Sequence, residues 1–530
     1  MVKTMKILKI TIDPAKGALV QDKNITKQQL FNISKEIHIT NKINKESLDY
    51  QLTAYIPPLL PENLGDSDFK KRHNLKYAYI AGAMANGISS VKMVQSMADN
   101  GMVGFFGAGG LSLGTIEKAI LELKKSLSSK TFGFNLIHSP NDPDHEMAVA
   151  ALYLKHGINL VSAAAFMRMT PALVYYRVKG ICRDLDGNIV APNKIIAKIS
   201  RVEVAREFFS PPPEKLVNQL LEKGVITHEE AELSKHIPMA QDITAEADSG
   251  GHTDNRPALS LLPTMLLLKN KFSLKFNYSC KLCVGLAGGI ATPASAAAAF
   301  QMGAGFILTG SINQPCVEAD VSTQAKEMLV QARQADVAMA PAADMFEIGA
   351  KVQVLKRGTM FAIRAEKLYN IYRNYQSFDQ VPRKERIQIE EKFLMESFED
   401  KWLETKTFFE RSGNIKEIQR AQDNPKHKMA LVFRSYLGLS SQWAISGEAG
   451  RTIDYQIWCG PAMGAFNLWA AGTFLESHEK RKVAEIALNL LFGASVCIRG
   501  SWLKNQNIDV PIDAQEFPPA TKIELLKMLS

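Results

Sequence analysis

Residues 283–311 read CVGLAGGIATPASAAAAFQMGAGFILTGS, and this stretch decides the fold. Residues 284–287 are a short apolar run that stops at Gly288-Gly289. Thr292 offers a capping hydroxyl and Pro293 a pre-set φ at the first helical position, so an Ala-rich helix starts there. The glycines at 303 and 305 end it, and Phe306-Ile307-Leu308 form the next strand, which runs out into Thr309-Gly310-Ser311. Two Gly-rich turns at the carboxyl ends of successive strands can aim backbone N–H groups at one anion, and a helix N-terminus adds a favourable dipole. In a (β/α)8 barrel a phosphate site commonly follows strands seven and eight. The other reading of the same glycines is a pair of tight βα turns and nothing more.

Working outward, the same alternation recurs upstream. Apolar runs at 77–81, 102–106, 131–136, 158–162, 195–200 and 242–245 are each followed by a helical pattern. With the two strands of the opening stretch they make eight βα units, ending in a helix over 320–335. Strands alternating with helices predict a parallel sheet, and eight such units predict a TIM (β/α)8 barrel.

One connection is too long. Roughly 40 residues separate strands five and six, where βα and αβ loops usually take about 2–6. They hold Pro211-Pro212-Pro213, a helix over 214–223, and a second helix opened by Thr227 with Glu230 three residues on, a capping box. Residues 203–238 therefore read as a helical insertion, open to use as a lid, a dimer contact or a docking surface. Beyond about residue 364 the strand pattern stops. Residues 384–409 read as one long charged helix, and helical patterns continue to about 497. The expected organisation is an N-terminal element over 1–70, a barrel over 71–362 and a C-terminal helical domain over 363–530. Trp402, Trp443, Trp458 and Trp469 read as core residues of the helical patterns.

Composition narrows the class. The chain has 530 residues, 46% hydrophobic and 22% charged, which describes an ordinary globular protein. A net charge of +9 suits an acidic partner, but Lys and Arg are spread along the chain without a basic tract, so no nucleic-acid partner is expected. Six scattered cysteines suit a reducing compartment. Cys280 and Cys283 form a lone C-x-x-C without further ligands, read as two thiols entering a strand, so no metal is expected. The first 19 residues lack a signal-peptide core, and no apolar run reaches the ~18 residues of a membrane span. The expectation is a cytoplasmic protein without a membrane span.

In a barrel the working residues stand at carboxyl ends of strands. Those ends supply Met84, Gly109-Gly110, Asn135, His138, Lys198, Asp248, Gly250-Gly251-His252, Gly288-Gly289 and Thr309-Gly310-Ser311. Asn135 can donate to and accept from a planar polar ring, or serve as a turn residue. Lys198 sits inside an apolar strand and requires a partner, either a ligand anion or a barrel salt bridge. In Gly250-Gly251-His252 the glycines let backbone approach a ligand and the imidazole follows them as an acid–base candidate.

The runs EADSGGHTDNRP (246–257), AGGIATPASAAAAFQMGAGFILTGSINQ (287–314), LKRGTMF (355–361) and DYQIWCGPAMGAFN (454–467) resemble PfaD-type proteins. These are trans-acting enoyl reductases of polyunsaturated fatty acid and polyketide synthases, on the flavin barrel shared by nitronate monooxygenases and FabK-type enoyl reductases. The resemblance spans about residues 75–495. It implies FMN, with its phosphate on Gly288, Gly289, Thr309, Gly310 and Ser311 and its ring against Met84, Asn135 and Lys198, the cation meeting the edge that becomes anionic on reduction. It also implies Gly250 and Gly251 beside the cofactor and His252 as the catalytic acid or carbonyl polariser. Where the wider superfamily commonly has Glu-Ala before Gly-Gly-His, this chain has Asp248-Ser249. The reductant implied is NADPH or NADH, stacking on the flavin in the same cavity because no G-x-G-x-x-G marks a Rossmann domain. The implied partner is an acyl carrier protein, with a homodimer as a further open contact. Two other functions stand beside this one: nitronate oxidation on the same barrel with the His as base, and a flavin-binding scaffold for carrier proteins without turnover.

Overall fold

Short apolar runs, each followed by a helix-start signal, cannot pair as hairpins and instead line up in parallel. Ser90, Ser112, Asp142, Thr170 and Thr292 each accept a hydrogen bond from an N–H in the first turn of the helix that follows, and so start five of the connecting helices. The structure is a computed structural model that describes residues 9–13, 17–21, 59–140, 142–411, 413–505, 510 and 516–528. Its eight parallel strands are β1 Tyr79–Ala81, β2 Val103–Phe106, β3 Gly133–Ile137, β4 Leu160–Ala164, β5 Lys194–Ile199, β6 Asp242–Glu246, β7 Cys283–Ala287 and β8 Ile307–Thr309. They close in sequence order, with β8 pairing β1, into a (β/α)8 barrel.

The chain divides into two compact units. One comprises the chain up to Ala247 with Arg256–Ala319 and Leu468–Ser530; the other comprises Asp248–Asn255 and Asp320–Asn467. The boundary expected after residue 362 therefore falls elsewhere. Residues 468–530 group with the barrel because the helix Val483–Asn505 lies against the barrel helix Pro293–Gln301. Gly493 permits that approach, since a Cβ there would meet Pro293 at 2.6 Å. This helix is long and apolar enough to cross a membrane by length and composition alone, and 83% of its apolar window is buried inside the protein.

The floor of the barrel is closed by the helix Ser67–Arg72. Its Phe69 joins a cluster with Ile80, Val103, Phe105, Leu160, Ile196, Phe306 and Leu308, and stacks on Phe306 at 4.3 Å between ring centroids. Each large side chain buried here contributes about 1.5–3 kcal/mol. Asp242 at the start of β6 is fully buried and receives Arg72 and His73, each at 2.8 Å. Burial pushes the Asp242 carboxyl up, but these two partners outweigh it and hold the group below its usual range. Of the N-terminal element expected over 1–70, the described parts are this floor segment and the antiparallel backbone pair Lys9–Asp13 and Gly17–Gln21; the rest lies outside the described residues.

The insertion between β5 and β6 is a helical hairpin, Glu214–Glu222 and His228–Ser234, after the barrel helix Val202–Phe209. The Thr227–Glu230 capping box is present. Glu230 does more than cap: its Oε1 also accepts the Gly180 N–H at 2.7 Å, and buried Arg177 donates to the Pro238 carbonyl at 3.0 Å. The hairpin is thus fastened to the helix Pro171–Val178 on the outside of the barrel.

The second unit holds a sheet that periodicity did not reveal, in which Lys351–Leu355 pairs antiparallel with both Val337–Pro341 and Gly251–His252. Its helices include Phe361–Asn374, Phe398–Arg411 and Pro425–Ser446, around a core of Phe346, Phe361, Phe378, Phe398, Trp402 and Phe433. The single helix expected over 384–409 is two. Arg383–Ile389 widens into a π-turn, Glu390–Leu394, and Met395 then takes the left-handed conformation at φ 62° and breaks the run.

Candidate active site

The carboxyl ends of β7 and β8 carry the glycine turns. Gly288 and Gly289 are left-handed, at φ 85° and 75°, a conformation that favours glycine. Among the described residues, the N–H groups of Gly288, Gly289 and Gly310 find no backbone acceptor. A Cβ built on Gly289 or Gly310 would meet none of the described atoms within 4 Å, whereas one on Gly285 in the middle of β7 would meet Phe306 at 2.4 Å. Glycine is thus required for packing at 285, while open space lies beside the backbone at 289 and 310. Backbone donors left over beside open space are of the kind that make up an anion nest. The capping box of Pro293–Gln301 closes on itself through Thr292 and Ser295, which leaves the turn before it as the donor set. Thr309 does not face this space: its hydroxyl is buried at 2.7 Å from Tyr79 Oη and 3.0 Å from Asn313 Nδ2.

Met84 and Asn135 organise the mouth above β1 to β3. The loops after β1 and β2 interlock: Asn86 N–H donates to the Gly109 carbonyl at 2.7 Å, and Gly87 N–H to Gly107 at 2.8 Å. Gly107 lies so close to the Met84 carbonyl that a Cβ would fall 1.7 Å from it. Asn135 Oδ1 accepts the Ala108 N–H at 2.6 Å and the Gly109 N–H at 3.3 Å, which leaves its amide N–H groups for a ligand. Lys198 Nζ lies 2.6 Å from Glu246 Oε1, so the barrel salt bridge is realised.

Ser162 and Thr244 were not picked out from the sequence. Ser162 pairs across the sheet with Asn135 and Ile196, and Thr244 with Lys198, so all five face the same side of the sheet, inward with Ile196. Both hydroxyls are buried without a hydrogen-bond partner among the described residues. The signal was local: Ser162 is a lone hydroxyl in the apolar strand β4, and Thr244 lies between Ile243 and Ala245 in β6.

His252 belongs to the second unit, where Gly251 and His252 pair with Gln353 and Val352. The preceding loop is held by Gln353 Nε2, which donates to Asp248 Oδ1 and the Ser249 carbonyl, each at 2.7 Å. Gly250 answers to packing: its Cβ would meet the Cys459 backbone at 2.9 Å. Gly251 is left-handed at φ 80°. His252 Nε2 lies 3.1 Å from Asp344 Oδ2, with side chains 40% and 62% exposed. Desolvation pushes the Asp344 carboxyl up, but the hydrogen bond and charge of His252 hold it below its usual range. Asp344 lies 92 residues along the chain, and no local motif announced it.

The family model for nitronate monooxygenase matches residues 67–370, more than half of the chain, and a model described as the inserted helical domain of [acyl-carrier-protein] S-malonyltransferase matches residues 375–455. The chain belongs to the nitronate monooxygenase family, in its PfaD-type branch. It is 47% identical to the polyketide biosynthesis protein PksE of Bacillus subtilis over 82% of this chain and 57% of the relative. It is 44% identical to the polyketide biosynthesis protein ThaF of Burkholderia thailandensis over 84% of this chain and 38% of the relative. A polyunsaturated fatty acid synthase polypeptide of a Thraustochytrium species is 42% identical over 87% of this chain and 31% of the relative. The chain thus spans 57% or less of the length of these curated relatives. Among solved structures, the enoyl reductase domain of MlnA from the macrolactin cluster of Bacillus amyloliquefaciens superposes with a TM-score of 0.79 at 40% identity, covering 84% of this chain and 99% of that one.

Proposed function

We propose that the protein is an enoyl reductase acting in trans on 2-enoyl thioesters of an acyl carrier protein, in polyketide or polyunsaturated fatty acid biosynthesis. The observation that carries this reading is the match to the MlnA enoyl reductase domain over 99% of that domain. FMN fits the residues present. The amides of Gly288, Gly289 and Gly310 would hold its phosphate, and Asn135, Lys198 and the hydroxyls of Ser162 and Thr244 would meet the polar edge of its ring. When bound, FMN supplies two-electron hydride chemistry, with NADPH or NADH as the reductant.

The chain's own residues bind, orient and handle charge. Hydride addition at Cβ of the thioester sends an electron pair to the carbonyl oxygen, and His252 would meet that charge with an N–H, its imidazole oriented by Asp344. Carrier docking is not assigned to the insertion: residues 203–238 carry seven carboxylates against four Lys and Arg, unsuited to an acidic carrier. The test is NADPH or NADH oxidation with an enoyl thioester on a carrier protein, and mass spectrometry of the acyl group for a gain of two hydrogens. Oxidation of a nitronate with O2, without acyl reduction, would support the other activity of the family.

A further inference from the structure

The first unit holds a second histidine–carboxylate pair, at the carboxyl ends of β3 and β4. His138 directly follows β3, and its N–H donates to the Ala164 carbonyl at the end of β4 at 3.1 Å. Its Nδ1 lies 3.0 Å from Glu146 Oε2, and the two side chains are only 11% and 2% exposed. Glu146 is itself fully engaged. Oε2 accepts the Ser139 N–H at 2.8 Å and Oε1 accepts the Thr170 hydroxyl. Burial pushes this carboxyl up, but its hydrogen bonds to His138, Thr170 and Ser139 outweigh that and hold it below its usual range. The imidazole stacks on Phe166 at 5.3 Å and 24° between planes. Phe166 follows Ala165, a non-glycine residue held left-handed at φ 62°, an arrangement that costs about 1–2 kcal/mol. So ring face, ring rotation and one nitrogen are all fixed, while Nε2 makes no hydrogen bond among the described residues. A buried carboxylate behind Nδ1 fixes the tautomer and the ring orientation, which is the arrangement of an acid–base histidine.

We infer that His138, oriented by Glu146, is the acid that delivers the proton to Cα in the proposed enoyl reduction. This rests on the reductase reading above. The reaction makes two demands on two different atoms: charge on the carbonyl oxygen must be met, and Cα must receive a proton. The first of these is the role proposed above for His252. His138 would serve the carbon from a nearly buried pair. Hydride addition at Cβ leaves an enolate. Its C=C electron pair takes the proton from His138 Nε2–H, the thioester carbonyl re-forms, and the neutral imidazole regains a proton from water. Atoms and charge balance with the reductant already named.

The test uses the full chain loaded with FMN. His138→Gln and Glu146→Gln should leave reduction of the flavin by NADPH at the wild-type rate and slow its reoxidation by enoyl thioester about 10²–10³-fold, with KM little changed. Imidazole in the buffer should recover part of the loss in His138→Ala. Independently of turnover, a long-range ¹H–¹⁵N spectrum of histidine-labelled wild type should show neutral His138 as the Nδ1–H tautomer, and Glu146→Gln should shift it towards Nε2–H. An unchanged reoxidation rate in His138→Gln, or an Nε2–H tautomer in the wild type, overturns the inference. A wild type that reduces no enoyl thioester overturns the reductase reading as well; an active wild type with an unaffected variant overturns only the role of His138.

Discussion

Lys198 Nζ, from β5, lies 2.6 Å from Glu246 Oε1, from β6. The two residues stand close in the strand register, since Lys198 pairs with Thr244, two positions before Glu246. Lys198 is therefore already paired with a carboxylate of the neighbouring strand. An anion forming on a bound ring would compete with Glu246 for it, which weakens the electrostatic pull of Lys198 relative to an unpaired lysine.

Lys198→Met should accordingly lower the midpoint potential of bound FMN by only a moderate amount, on the order of 30 mV, or 1.4 kcal/mol for a two-electron couple. Glu246→Gln should raise it by freeing the cation. Dye-equilibrium titration measures both. If neither substitution moves the potential, the pair serves the barrel alone.

Gly310→Val should fold and lose FMN. Position 310 is not left-handed, at φ −129° and ψ −79°, and its Cβ would stand in open space where the phosphate is proposed. Gly285→Val is the contrasting case, because there the Cβ meets Phe306 at 2.4 Å and the protein should be destabilised by about 1–3 kcal/mol of overpacking. Flavin released on denaturation and far-UV circular dichroism separate the two outcomes; wild-type FMN occupancy in Gly310→Val would remove the phosphate from this turn.

Asp242→Asn should cost about 3–5 kcal/mol of stability, since it strips Arg72 and His73 of their buried partner. The sign of the pH dependence follows from the lowered carboxyl. A group whose folded pKa is depressed contributes stability above its unfolded pKa of about 4, and loses it as pH falls through the folded value. Urea melts from about neutral pH down to the acid limit should show this loss in the wild type and not in Asp242→Asn.

His252→Ala should separate the half-reactions. Flavin reduction by NADPH needs no charge met on a thioester and should persist, while reoxidation by enoyl thioester should slow about 10²–10³-fold. Asp344→Asn should slow the same step less, because it acts through the imidazole. Stopped-flow absorbance resolves each step, and an unaltered oxidative half-reaction in His252→Ala would make that histidine structural.

The barrel was legible because its signals are local. Each strand is a short apolar run, and caps such as Thr292 with Pro293, or Thr227 with Glu230, lie within a few residues of what they start. What escaped is non-local or unmarked. Val337–Pro341 and Lys351–Leu355 acquire their meaning partly from Gly251–His252, far upstream in the chain. The break at Met395 carries neither Gly nor Pro, so periodicity ran straight across it. In the site, strand-end positions picked Asn135, His138, Lys198 and His252. The partners Glu146, Glu246 and Asp344 required the third dimension, and so did the finding that Gly250 answers to Cys459 rather than to open space.

Residues 468–530 group with the barrel, and Gly493 of their long helix presses on Pro293, the first residue of the helix that follows the Gly288-Gly289 turn. That contact ties a late-synthesised part of the polypeptide to the element nearest the anion nest. A ribosome that has translated all eight strands has still not made the helix that braces β7's turn. The support of the helix after that turn is thereby added after all eight strands exist.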